Sequence, residues 1–438
     1  FETCQAHYQE QPISSLLSSV DPMIAVRYLR TFRPFDELNR PLYSTSSLYR
    51  NHPGQIPLEK HLAMAFYPKY GFGFGRSFAY RQATIIGSIF KVATAYQALM
   101  QNHHKNPKAS YRDLNPLEIT DKTFKVKNQI HVAQTKEGKP IPQLYKGGRI
   151  PRSAVSQIGK IDCIRALEKS SNPYFSLLAG DFLNDPEDLN RAAETFSFGT
   201  KTGIDLPGEL PGKLPTDLAT NKTGLYAMAI GQHSLVVTPL QTAVMLSILA
   251  NQGKVPTPKM GALKVGTLPF RYPLDQPPLT LFPTQFKREI ELPLSVRNIL
   301  FAGMQRIVHQ TTGDSLWSIA RLFPDDRQKI TDYVALKNQL IGKTATSEVY
   351  ERLDLDPNRS GHLYKHTGFG GILFDRDISF HDIENNLNKP LSATPELVIV
   401  VYLRYGSFGK EAAPLAAQIA KKYRAIKTKM KHHQALFL

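Results

Sequence analysis

The sequence predicts a mixed α/β chain of the α+β type, with an antiparallel sheet flanked by helices. Three observations predict it. Helical periodicity clusters in the middle of the chain, and short β-branched apolar runs gather near its C-terminal end. Such a segregated order lays helices on a sheet instead of alternating with its strands. Hydrophobic residues make up 42% of 438 positions and charged residues 21%, a composition that builds a core and argues against wholesale disorder.

Residues 1 to about 80 carry weak periodicity and many turn-formers. Within them Gly71-Phe72-Gly73-Phe74-Gly75 lacks a preceding strand and phosphate-binding spacing, so it reads as an aromatic loop. From Ile85 to Met100 the pattern is helical and apolar almost all round, as in a helix inside a domain. Residues 105 to 160, rich in Lys, Pro and Gly, read as loops and short strands. A helix follows from about Ile161 to Lys169, and Pro173 bars its continuation. Thr238-Pro239 is a helix start, with Thr as cap and Pro in the first turn, and the apolar positions to Ala250 continue it. Beyond a proline-rich connection between Pro256 and Pro293, a helix covers Leu294 to Val308, and Trp317 lies in a further helical stretch. Strands are predicted at Tyr333–Ile341, Gly370–Phe374 and Leu397–Arg404, and a last helix at Ala412–Ala425.

The formal net charge of +17 calls for a partner or a reason. Zinc-finger spacing, RNP-like aromatic strands and a basic leucine zipper are all missing, so no nucleic acid is expected. Anionic membrane surfaces and acidic wall polymers are attracted by the same field. The run Lys421, Lys422, Arg424, Lys427, Lys429, Lys431 reads as a solvated helix end. No stretch approaches the ~20 apolar residues that span a bilayer. Cys4 and Cys163 make neither a disulfide framework nor a metal site by themselves. His103, His104 and His432-His433 lack ligand spacing, so no metal or cofactor is expected.

Chemistry concentrates at three places. In Gly87-Ser88-Ile89-Phe90-Lys91, Ser88 and Lys91 share one face of a helix. The apolar neighbours Ile86, Ile89, Phe90, Val92 and Ala93 would desolvate the amine and lower its pKa, leaving a neutral base near a hydroxyl. Ser-x-x-Lys alone is common by chance. The second place is Ser170-Ser171-Asn172, on a helix-to-loop corner before Pro173, and taken alone it is a capping turn. The third is Lys343-Thr344-Ala345-Thr346, following a strand-like run, and taken alone it is a polar edge strand. Lys201-Thr202-Gly203 and Lys222-Thr223-Gly224 lie outside strand patterns and read as loops.

In this order the three places resemble the Ser-x-x-Lys, Ser-Asp-Asn and Lys-Thr-Gly set of penicillin-binding proteins and class A β-lactamases, with Ser171 where that set carries Asp. Between the second and third lie Phe198 to Glu209 and Ala229-Ile230-Gly231-Gln232-His233 through Gln241. Both closely resemble stretches of class B penicillin-binding protein transpeptidase domains, and class A β-lactamases have no equivalent. The resemblance runs from roughly residue 60 to the C-terminus, and Ala63 to Pro68 is its least diagnostic part.

The resemblance implies a penicillin-recognising serine transpeptidase fold, an antiparallel sheet with helices on both faces plus an all-helical lobe, the active site between them. It implies that Ser88 attacks the penultimate D-alanine carbonyl of a peptidoglycan stem peptide ending in D-Ala-D-Ala and forms an acyl-enzyme. Lys91 would accept the proton, Ser170 would relay it to the leaving D-alanine, and Asn172 would hold substrate and Lys91. Lys343 would support Ser170, Thr344 and Thr346 would bind the terminal carboxylate, and the N–H groups of Ser88 and Thr346 would form the oxyanion hole. Ala345 replaces the family's glycine, and its added bulk would narrow substrate choice or slow acylation. The implied partners are stem peptides, β-lactam antibiotics, a membrane glycan synthase and morphogenesis proteins. The implied place is the periplasm or the outer face of the bacterial cytoplasmic membrane, with the anchor absent from this chain. Residues 1–55 are expected to be a remnant N-terminal region or linker, 56–430 the transpeptidase domain and 431–438 a basic tail. The gap between Ser88 and Ser170 suggests an inserted loop. A D,D-carboxypeptidase, a serine β-lactamase or a catalytically silent scaffold are the competing readings.

Overall fold

The computed structural model describes Pro22, Ser77 and residues 79–436, except 207, 261–262, 266–278, 282, 313–326, 352–361, 381, 384, 404–405 and 407. The expectations for Gly71–Gly75, Ala63–Pro68 and Trp317 lie outside the described residues. The chain divides into two compact units. One comprises 1–82, 206–209 and 349–364, and among its described residues Arg81 N–H closes a turn on the Ser77 carbonyl. The other, comprising 83–205, 210–348 and 365–438, holds all three chemical motifs.

Its first half runs through β1 (Thr84–Ile85), a 3-10 turn at Gly87–Phe90, α1 (Lys91–Lys105), α2 (Tyr111–Leu114), β2 (Ile119–Val126), β3 (Gln129–Thr135), β4 (Pro140–Pro142), β5 (Leu144–Tyr145), β6 (Gly148–Arg149), β7 (Gln157–Ile161), α3 (Cys163–Lys169), α4 (Asn172–Leu177), α5 (Asp188–Thr195) and α6 (Lys222–Met228). The second half comprises β8 (Val236–Val237), α7 (Pro239–Ala250), β9 (Lys254–Pro256), β10 (Leu263–Val265), β11 (Leu279–Leu281), β12 (Phe286–Glu289), α8 (Leu294–Arg306), α9 (Arg327–Leu336), β13 (Leu340–Glu351), β14 (His362–Phe374), β15 (Pro395–Leu403) and α10 (Ala412–Leu436).

The sheet that matters most has the order β13-β14-β15, with β14 and β15 antiparallel from Thr367↔Leu403 to Phe374↔Pro395. Its period-two alternation feeds two cores. Ile341, Ala345 and Ile372 join the main cluster with Ile89, Leu246 and Leu249. Phe369, Leu373, Ile399 and Val401 point the other way, onto Ala412, Ala413, Ala416, Ala417 and Ala420 of α10. The small side chains along α10 let the helix lie close on the sheet. Helices therefore cover both faces, the predicted fold class. Around α1, whose residues from Lys91 to Met100 are nearly all buried, pack α3, α5 and α8 as a helical lobe.

Several local expectations are corrected. The helix predicted from Ile85 begins later, because Thr84 and Ile85 pair with Val237 and Val236 as strands. The segment read as loops and short strands contains a four-stranded antiparallel sheet, β4-β3-β2-β7. Tyr333 lies on helix α9, not on a strand, and β13 begins only at Leu340. Tyr333 is buried with its hydroxyl donating to the Val308 carbonyl, so tertiary packing overrides the β-preference of its neighbours. Lys222-Thr223-Gly224 is the first turn of α6, capped by Asn221. Pro173 does follow the end of α3, but it opens α4 in the first turn. Residues 431–436, expected as a tail, continue α10. Thr238 caps α7 as expected, in a full capping box with Gln241.

Candidate active site

Ser88 sits in the 3-10 turn whose last amide, that of Lys91, donates to the Ser88 carbonyl. Ser88 and Lys91 lie three residues apart, across the end of this turn and the start of α1. Gly87 makes this placement possible. Its φ is +64°, and a Cβ there would lie 3.2 Å from the Thr346 carbonyl oxygen and 3.4 Å from the Ala345 Cβ. The turn thus lies close against β13 at Ala345 and Thr346.

Lys91 is fully buried and turns toward the second motif. Its Nζ donates to the Ser170 carbonyl at 2.8 Å, the Ser170 hydroxyl at 3.0 Å and Asn172 Oδ1 at 2.6 Å. Burial holds this amine well below the usual lysine range, the charge of Lys343 pushes it further down, and Asp121 pulls it up. Lys343, also fully buried, donates to the same Ser170 hydroxyl at 2.8 Å and is depressed by burial to about 7. Two amines therefore converge on one oxygen, and simultaneous protonation of both is disfavoured.

The corner that receives them is built by two helix ends. Ser170 closes α3 in the left-handed region, φ 55° and ψ 42°, and its N–H bonds back to Leu167. That conformation is unusual for a residue with a Cβ and carries strain typical of functional positions. Ser171 then caps α4 by accepting from the Tyr174 amide. Asn172 is held from both sides, its Nδ2 donating to the Arg152 carbonyl and its backbone N–H to Ser153 Oγ.

On β13, Lys343, Ala345 and Ser347 are buried, whereas Thr344 and Thr346 on the opposite face are half-buried. Thr346 Oγ1 accepts from the Gly409 amide at 3.1 Å, leaving its own proton to donate. Ala345 does not project into an open cleft. Its methyl, 5% exposed, belongs to the main core and faces Gly87 and Gly368.

Two features escaped the sequence reading. Asp121, fully buried on β2, accepts from Ser171 Oγ and Ser153 Oγ beneath the corner. Its signal was slight: a carboxylate sharing an inward strand face with Ile119. Gly231 is the second. Its carbonyl accepts from the Gly87 amide at 2.8 Å, and with φ +76° a Cβ there would sit 1.9 Å from the Gly87 carbonyl oxygen. The Ala229–Gly231 stretch thus seats the serine-bearing turn, helped by Thr94 Oγ1 donating to the Ala229 carbonyl. Gln241 ties down the other motif-bearing stretch through the Thr200 and Pro211 carbonyls. Among the described residues no group of His, Cys, Asp or Glu could hold a metal ion, and no helix is long and apolar enough to cross a membrane.

Parts of the chain are similar to known proteins. Residues 140–277 match the family model described as the penicillin binding protein transpeptidase domain. A peptidoglycan D,D-transpeptidase MrdA of Acinetobacter baumannii is 32% identical over 120 residues, 26% of this chain and 18% of that protein. The MrdA of Haemophilus influenzae is 26% identical over 277 residues, 60% of this chain and 36% of that protein. These matches span about a third or less of the relatives' own length. The fold is similar to penicillin binding protein 3 from Mycobacterium tuberculosis, with a TM-score of 0.51 and 19% identity over 80% of this chain and 64% of that one. Residues 140–277 are thus similar to a penicillin binding protein transpeptidase domain, and the fold is similar to that of a penicillin binding protein.

Proposed function

We propose that this chain is a serine D,D-transpeptidase that cross-links peptidoglycan stem peptides ending in D-Ala-D-Ala, and that β-lactams acylate the same serine. The observation that carries this reading is the convergence of two buried lysines on the Ser170 hydroxyl, one of them a single 3-10 turn from Ser88.

In this reading Ser88 Oγ attacks the penultimate D-alanine carbonyl carbon. Lys91, in the neutral form that burial favours, takes the hydroxyl proton onto its lone pair. The N–H groups of Ser88 and Thr346 hold the oxyanion. As the tetrahedral intermediate collapses, the C–N bond to the terminal D-alanine breaks. Its amine takes a proton from the Ser170 hydroxyl, which is resupplied by Lys91 with Lys343 as electrostatic support. Asn172 orients both Lys91 and the peptide, and the hydroxyls of Thr344 and Thr346 bind the terminal carboxylate. An amine of a neighbouring stem peptide then attacks the ester carbonyl and loses a proton to Lys91, the C–O bond to Ser88 breaks as the cross-linking amide forms, and Lys91 returns the proton to Ser88 Oγ. Such chemistry belongs outside the cytoplasm, at the outer face of the membrane, where a membrane glycan synthase supplies nascent strands and morphogenesis proteins are further partners.

The test uses a synthetic stem pentapeptide as donor and a D-amino acid as acceptor. Exchange of the terminal D-alanine for the acceptor, lost in Ser88→Ala, is the expected result. Release of D-alanine into water with no exchange would make the protein a carboxypeptidase. Rapid hydrolysis of a β-lactam adduct would make it a β-lactamase.

A further inference from the structure

Asp121 lies where the mechanism above gives it nothing to do, yet it is 0% exposed. Burying a carboxylate is costly unless its hydrogen bonds and counter-charges compensate. One of its oxygens, Oδ2, accepts from Ser171 Oγ at 2.5 Å and from Ser153 Oγ at 2.7 Å. Each hydroxyl then passes order on. Ser171 Oγ accepts from the Tyr174 amide and starts α4, while Ser153 Oγ accepts from the Asn172 amide. The second oxygen, Oδ1, is buried without a hydrogen-bond partner among the described residues. Across the sheet Asp121 faces Ala133 and Gly159, which carry no charge. The charged group acting on it is a cation, Lys91 from α1, which in turn feels the charge of Lys343 from β13. In the three-part motif set an Asp stands between the second serine and the asparagine, and here that place is taken by Ser171.

We propose that Asp121 is a positioning residue that supplies from β2 the buried carboxylate this corner lacks in its own motif, fixing Ser171 and Asn172 and serving as the counter-charge of Lys91 while that amine carries the serine proton. The proposal rests on the acylation reading given above. Burial raises the carboxyl above its usual range while its two hydroxyl donors and Lys91 pull it back, so the negative charge is held by these partners. Removing the charge has a definite sign. The ammonium form of Lys91 becomes harder to reach, so its pKa falls, and the acid limb of acylation moves to lower pH. The plateau rate falls as well, because the protonated amine in the transition state has lost its counter-charge.

The experiment follows acylation by a fluorescent penicillin from acidic to alkaline pH, with intact mass to locate the adduct. Asp121→Asn is expected to be acylated roughly tenfold more slowly, with its acid limb displaced downward by about one unit. Ser171→Ala removes a hydroxyl and keeps the charge, so its rate falls while the limb stays in place. A limb in Asp121→Asn that superimposes on wild type overturns the proposal, as does an equal displacement in Ser171→Ala. Should Asp121→Asn not fold by circular dichroism, Asp121→Glu replaces it. That variant keeps the charge, so a lowered rate with an unmoved limb supports the proposal and a displaced limb overturns it. No adduct on the wild type would overturn the acylation reading itself and this proposal with it, whereas an adduct with an unmoved Asp121→Asn limb overturns this proposal alone.

Discussion

Lys343 donates to a serine hydroxyl and to the carbonyl of its own neighbour, neither of which carries a charge. Burial of a cation without a paired carboxylate drives the amine toward neutrality, here to about 7. The same depression has a cost in stability, and its sign follows from proton counting. The unfolded chain holds this proton up to the ordinary lysine range and the folded chain releases it near 7. Between those two values the unfolded state therefore binds more protons, and stability rises with pH. Below about 7 both states are protonated and the slope from this group vanishes. Thermal unfolding is accordingly expected to show wild type gaining on Lys343→Met from pH 7 to 10, with parallel curves at lower pH. Parallel curves across the whole range would mean that the amine is not depressed. Lys91 shifts in the same direction through burial in both proteins, and the part of its depression that comes from the Lys343 charge is present in wild type alone.

At the scale of elements, catalytic placement depends on backbone approaches that a side chain would prevent. The turn carrying Ser88 is pressed between β13 and the Gly231 carbonyl. Gly231→Ala adds a methyl that meets the Gly87 carbonyl oxygen at 1.9 Å, in a left-handed backbone that already disfavours alanine. A loss of at least about 2 kcal/mol in chemical denaturation is expected, with acylation slowed more than the lost stability explains, since the displaced group is the turn that carries the proposed nucleophile. Unchanged acylation in a folded Gly231→Ala protein would show that this packing does not set the serine. Local and distant determinants part company here. The capping of α7 by Thr238 and the end of α3 before Pro173 were legible, because caps and prolines act locally. The role of Gly231 and the carboxylate under the corner were not, since each depends on a contact between segments far apart in the chain. The helix at Tyr333 was misread as a strand because its burial comes from the contact with Val308, which no local pattern reveals.

Across the molecule, the β13-β14-β15 sheet separates two apolar cores and carries the Lys343–Thr346 edge, while the helical lobe carries Ser88 and the Ser170–Asn172 corner. An antiparallel sheet covered by helices emerged from the order of elements, and helices on both its faces from the resemblance. The four-stranded sheet of β2, β3, β4 and β7 did not, since its strands are interrupted by bulges that blur the alternation. That sheet is also what brings Asp121 beneath the corner. The central claim is that this assembly makes Ser88 the acylated residue. It is tested most directly by treating the protein with a β-lactam, digesting it and locating the added mass by peptide sequencing. One equivalent of drug on Ser88, and none on the Ser88→Ala protein, is the predicted result. An adduct on another residue, or one that persists in Ser88→Ala, would contradict it.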